Sequence, residues 1–227
     1  MKRNTHDLLA RVVPFGLYMA FVALLEIPSL LGGEPLSPDV ILALYPVKIA
    51  MVVIALIVFG KSYTDLDWSS LRQTAPTALS IGVGVVVFIL WINLDLPWAT
   101  QGELTAYDPT SAANGWVYPL IIARTVGAVV VVPIMEELFW RSFLARYLID
   151  RNFMAVRAGT FTMFTFLATS ALFGLEHQLY LAGILAGLAY NGIYLKTKSL
   201  AQCVLSHAVT NGLLAGYVLT TQNWRFW

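Results

Sequence analysis

The sequence predicts an all-α, polytopic transmembrane helical bundle, and three observations lead there. The 227 residues are 58% hydrophobic with a mean hydropathy of +0.71, and only 12% are charged, against about 25% in an ordinary soluble domain. The apolar residues fall in runs of helix length, and a hydrocarbon core of roughly 30 Å takes about 20 helical residues to cross. In lipid the backbone must satisfy its own N–H and C=O groups, so only helices or closed barrels span it. No polar block long enough to bury its own core separates the runs, so residues 1–227 read as a single membrane domain.

The first run, residues 13–31, follows a basic start with Lys2, Arg3 and Arg11. A secretory signal peptide begins that way, but the run continues through Glu26 and Pro28 without a small-residue cleavage site, so a retained span is expected. Further spans are expected at residues 40–60, 75–94, 116–149, 158–176, 179–195 and 200–221. That makes about seven, or eight if a re-entrant segment lies between residues 108 and 124. The fourth is overlong and contains Pro119 and Pro133, the second of which offers a place to bend. The aromatic residues Trp224, Phe226 and Trp227 at the C-terminal end suit a membrane interface.

Lys and Arg gather on cytoplasmic loops, and here they alternate as that rule expects. Lys61 and Arg72 follow the second run, Arg146, Arg151 and Arg157 the fourth, and Lys196 and Lys198 the sixth. The intervening loops carry Glu34 and Asp39, then Asp95, Glu103 and Asp108, with no Lys or Arg. The expected protein is therefore multi-pass in a cytoplasmic (inner) membrane, with its N-terminus inside and its C-terminus outside. A net charge of +1 points to no nucleic-acid partner. The single cysteine, Cys203, lies in an apolar run and reads as a packing residue.

Ionisable groups at the bilayer centre cost about 2.5–3.5 kcal/mol each on insertion scales, so those present usually face a cavity and carry function. Glu136, Glu137 and Arg141 interrupt an apolar stretch. Positions four apart share a helical face, so Glu137 and Arg141 pair, while Glu136, about 100° around, is left to point into a cavity. A purely structural ion network is the competing explanation. Phe173 and His177, four apart near the end of the fifth run, and His207 and Asn211, four apart in the last, complete the set. An interfacial histidine and interhelical hydrogen bonding are the ordinary explanations of these two pairs. Taken together, the three groups supply a carboxylate to take a proton from water, an imidazole to orient that water, and neutral donors for an oxyanion.

In order and spacing, Glu136-Glu137-x-x-x-Arg141, Phe173-x-x-x-His177 and His207-x-x-x-Asn211 resemble the three signatures of the CAAX prenyl endopeptidase and bacteriocin-processing (CPBP) family of intramembrane proteases. The resemblance covers about residues 116–221 and leaves the first three spans without a signature. It implies a glutamate-dependent protease in which Glu136 activates water, His177 helps hold it, and His207 and Asn211 form the oxyanion hole. Glu137 and Arg141 occupy the paired positions, and Phe173 is a candidate substrate contact. The wrapping is similar to a bacterial subgroup associated with exosortase systems. The expected partners are membrane lipids and a membrane-associated or prenylated protein or peptide.

Two other readings compete. Two histidines and a glutamate suffice for a zinc site with water in the fourth position, although no His-Glu-x-x-His is present and the expectation is no metal. A non-enzymatic scaffold or immunity protein on the same fold is the second. A Gly-x-Ser-x-Gly elbow is absent, which disfavours serine chemistry. Depth poses a difficulty. At 1.5 Å per residue His177 stands roughly 30 Å from the Arg157 end of its helix, but Glu136 only about 20 Å from Asp150. For the two to meet, the fourth helix must project from the bilayer or the fifth must tilt.

Overall fold

The computed structural model describes residues 2–34, 36–102, 106–113 and 115–227. Glu103, one of the acids expected in an external loop, lies outside them, as do the side chains of Lys2 and Arg3. The described chain forms helices α1 (Lys2–Leu30), α2 (Pro38–Val58), α3 (Thr74–Asn93), α4 (Val117–Tyr147), α5 (Met163–Leu175), α6 (Tyr180–Thr197) and α7 (Leu200–Thr221), joined by loops and short 3₁₀ turns. Five of these, α1 to α4 and α7, contain segments long and apolar enough to cross a membrane, and α5 is a shorter apolar helix. The polytopic helical bundle expected from the sequence is the architecture observed.

Local chemistry sets the helix ends. Thr162 caps α5 by accepting from Thr165 N at 3.1 Å, and Ser199 caps α7 by accepting from Gln202 N at 3.3 Å. Both satisfy an amide that the first helical turn would otherwise leave unpaired. Lys198 takes a left-handed conformation (φ 52°) to end α6 and turn the chain directly into α7.

Two boundaries differ from the sequence reading. The first helix begins near Lys2 rather than at residue 13, because its basic opening continues the same helix. The fifth begins at Met163 rather than near residue 158, since residues 156–162 are non-helical. That shortening removes the depth difficulty. From Met163 to the helix end at Leu175 the rise is about 18 Å, and from Glu136 to the helix end at Tyr147 about 17 Å, so the mismatch in helix length disappears. The bend expected at Pro133 also takes another form. Pro133 follows a π-helical segment, Gly127–Val131, and a second one, Leu138–Leu144, succeeds the glutamate pair. Proline has no N–H and crowds the carbonyl four residues back, and a widened turn accommodates both.

Small residues bring the site-bearing helices together. A Cβ at Gly84 of α3 would stand 2.5 Å from the Ser206 carbonyl oxygen of α7, and one at Gly187 of α6 would stand 2.8 Å from Ser170 Cα of α5. In helices packed without water such glycines allow backbone approach. At the Tyr147 end of α4, Asp65 ties three elements. It accepts from Arg11 of α1 at 2.6 Å, and from Arg146 and Ser142 of α4 at 2.5 Å each. Burial alone would raise the Asp65 carboxyl. The Arg11 and Arg146 guanidiniums and the Ser142 hydroxyl outweigh it and hold the group below its ordinary value.

Candidate active site

Glu136 and Glu137 sit between the two π-helical segments of α4 and are both buried. Their side chains diverge. Glu137 Oε1 accepts from Arg141 Nη1 at 3.1 Å and lies 3.1 Å from His207 Nδ1. Glu136 instead lines a cavity of about 160 Å³ together with His177, His207 and Asn211. Its Oε2 has no hydrogen-bond partner within the protein. The roughly 100° between adjacent helical positions separates the two carboxylates.

Arg141 is fully buried and occupied on every side. Besides Glu137 it donates to Asn191 Oδ1 at 3.2 Å and to the Gly187 carbonyl at 3.1 Å, and its guanidinium lies 4.8 Å from the Phe173 ring centroid. Asn191 in turn donates to Thr169 and Ser170 of α5, at 2.9 Å each. A buried charge is tolerated only when its donors find partners, and this network supplies them from α4, α5 and α6. Asn191 was not singled out in the sequence. It stands amid apolar residues of α6, a placement that could have marked it.

His177 lies just beyond the end of α5, in the turn leading to α6, and not on a helical face shared with Phe173. A helical C-terminus leaves its last carbonyls unsatisfied, and the ring exploits this: Nδ1 lies 2.7 Å from the Phe173 carbonyl oxygen. A carbonyl only accepts, so Nδ1 carries the proton and a neutral ring keeps its Nε2 lone pair free. Trp91 of α3 meets this ring edge-on at 5.2 Å. Gln101 fixes the turn by donating to the Leu175 and His177 carbonyls at 2.8 and 2.7 Å. Phe173 is 1% exposed and lines the cavity, packed between the Arg141, His177, Tyr190 and His207 side chains.

His207 of α7 stacks on Tyr190 (4.9 Å, 21°), and its Nε2 lies 4.0 Å from Glu136 Oε2. Tyr190 donates to Thr210 at 2.8 Å and Thr210 to the Gly84 carbonyl at 2.9 Å, which sets the face α7 presents. Asn211 Nδ2 donates to the Ala128 carbonyl at 2.8 Å. Ala128 belongs to the first π-helical segment of α4. The amide carries two N–H bonds, so this contact orients the group and leaves one donor.

The structure adds Glu176. It accepts from Trp140 Nε1 at 3.0 Å, and one potential ligand atom each from Glu136, Glu176 and His177 falls within 4.8 Å of the others. Two carboxylates and an imidazole so placed are able to hold a divalent cation. The other histidine is not part of that cluster.

Residues 116–213 match the family model described as Type II CAAX prenyl endopeptidase Rce1-like. Over this segment the chain is similar to the CAAX prenyl endopeptidase family. The matched segment holds all three motifs, from Glu136 to Asn211. The match is at the level of the family and names no subgroup, and residues 1–115 lie outside it. None of the curated proteins and none of the solved structures matches the chain. The matched segment comprises α4 to α6 and the part of α7 that carries the last motif.

Proposed function

We propose that the chain is an intramembrane endopeptidase that hydrolyses a peptide bond in a membrane-associated or prenylated protein, with Glu136 as general base. The observation that carries this reading is the unpartnered Glu136 carboxylate oxygen in one cavity with His177, His207 and Asn211.

Glu136 takes a proton from a water whose other hydrogen points to the free Nε2 of His177. The water oxygen adds to the scissile carbonyl carbon, and the resulting oxyanion accepts from the remaining Asn211 N–H. His207 Nδ1–H is directed at Glu137, so its Nε2 becomes a second donor when the ring is protonated. The Glu137 carboxylate, balanced by Arg141, is placed to support that cation. As the C–N bond breaks, Glu136 returns its proton to the departing amine. The charge pattern of the loops supports an inner-membrane protein with the N-terminus inside and the C-terminus outside.

The experiment compares the host membrane proteome with wild type and with Glu136→Gln. The expected result is a new protein terminus present with wild type and lost with the variant, at unchanged protein level. A terminus that persists with Glu136→Gln rejects the glutamate mechanism, and no wild-type-dependent terminus favours a scaffold or immunity role. A zinc-dependent protease is the second reading, favoured by the proximity of Glu136, Glu176 and His177. There the metal would polarise water and Glu136 would be a ligand.

A further inference from the structure

Two cations line a space that Glu136 also lines, without an acid partner. Lys48, on α2, is 6% exposed, with Nζ 4.0 Å from the Tyr18 ring centroid and 4.9 Å from that of Tyr45. The Arg124 guanidinium of α4 lies 4.5 Å from the Tyr45 centroid and 5.1 Å from that of Tyr107. Both therefore meet on one tyrosine. Among the described residues no carboxylate comes within 4.0 Å of either cation. Arg124 Nε is buried and has no hydrogen-bond partner.

The acids that share their surroundings do not reach them. Glu26 lines the space on one side with Lys48 and Arg124, and Glu136 and Glu176 line the space on the other. Arg124 lines the Glu136–Asn211 cavity as well. Aromatic faces attract cations, but they do not replace the oxygen ligands that desolvation removes. Two neighbouring cations without an ion-pair partner, Lys48 buried and Arg124 half-buried with its Nε enclosed, are a binding surface for an anion.

We propose that Lys48 and Arg124 form a subsite for a carboxylate of the substrate, held to one side of the scissile bond. This rests on the peptidase reading of Glu136 and adds a required chemical feature of the substrate. The carboxylate is either a chain end or an Asp or Glu side chain. A lipid phosphate is the weaker occupant. Lys48 lies about 15 Å along α2 from its Pro38 end, below headgroup depth, and the subsite is continuous with the catalytic cavity. Lys48 lies outside the segment that matches the family and Arg124 within it.

The test measures binding without turnover, using full-length Glu136→Gln protein in phosphatidylcholine nanodiscs. Four probes are titrated: an N-dodecanoyl Ala/Val hexapeptide with a free C-terminal carboxylate, its C-terminal amide, the amide with one internal Asp, and dodecyl phosphate. At least one carboxylate peptide should bind tenfold or more tightly than the neutral amide, and which one does so distinguishes chain end from side chain. Arg124→Gln and Lys48→Met should each abolish that preference, and Arg124→Lys should retain part of it. Equal binding by acid and amide, no binding by any peptide, or a preference surviving both substitutions overturns the subsite. Selective binding of dodecyl phosphate alone assigns the cations to lipid instead. The acid-to-amide comparison needs no substitution at the subsite, so it decides even if a variant misfolds. Failure here leaves the cleavage result with Glu136→Gln untouched, whereas failure of that result leaves these affinities to stand alone.

Discussion

Glu137 Oε1 lies 3.1 Å from both Arg141 Nη1 and His207 Nδ1, so one carboxylate oxygen joins the buried cation of α4 to the histidine of α7. Its neighbour Glu136 has no ion partner as short. The two adjacent glutamates therefore differ in what their loss does. Removing the charge of Glu137 leaves Arg141 as an uncompensated buried cation, which costs about 3–5 kcal/mol, and it also releases the His207 ring. Glu137→Gln should lower both the unfolding midpoint in detergent and the cleavage rate. Glu136→Gln should reduce cleavage by about 10²–10⁴-fold with little change in the midpoint. Equal midpoints for wild type and Glu137→Gln would show that the ion pair does not hold the site.

Asn211 tests the oxyanion role. Asn211→Ala removes a donor that strengthens its bond only as charge develops, so cleavage should fall about 10²–10³-fold. The Michaelis constant should barely move. A large rise in that constant with an unchanged turnover number would make Asn211 a substrate-binding group.

Close approach at Gly84 sets where α7 sits. Gly84→Val places new atoms against the Ser206 carbonyl and Val209 side chain, and overpacking of this kind costs about 1–3 kcal/mol. Because His207 and Thr210 lie on the displaced face, activity should drop as well. A variant with wild-type stability and activity would mean that α3 and α7 have slack at this crossing.

The Asp65 cluster makes a prediction in pH. Its folded-state carboxyl is held below the ordinary value by Arg11 and Arg146. The stabilisation is therefore fully present above the unfolded value of about 3.9 and disappears as pH falls through the lower folded value. Asp65→Asn should lower the unfolding temperature at neutral pH, and the gap to wild type should close only in acid below pH of about 4. A gap that closes near neutral pH would point to another titrating group.

Metal dependence separates the two catalytic readings. In the glutamate mechanism a chelator leaves cleavage unchanged and purified protein contains no stoichiometric zinc. Reversible loss of activity on chelation, together with metal content that drops in Glu176→Gln and His177→Ala, would transfer Glu136 from base to ligand.

The sequence by itself determined the helical membrane fold, because a hydropathy of +0.71 with helix-length apolar runs leaves the backbone few alternatives. It also singled out Glu136, Glu137, His177, His207 and Asn211 as candidates, since polar groups stand out against apolar surroundings and periodicity predicts which share a face. The start of α5 was not legible. Residues 158–162 are compatible with helix by composition, and the left-handed turn at Gly159 against the Tyr194 carbonyl, followed by the Thr162 cap, sets the boundary. Pro133 was visible, but a bend and a widened turn both accommodate a proline, and the structure has π-helical segments on either side of the Val132–Glu137 turn. Periodicity placed His177 on a helix, whereas its bond to the Phe173 carbonyl forms in the turn beyond, where unsatisfied helix-end carbonyls are available. Glu176, Asn191, Lys48 and Arg124 acquire meaning only from neighbours far away in the chain. Burial and missing counter-charges are properties of the assembled bundle, and local sequence cannot encode them one residue at a time.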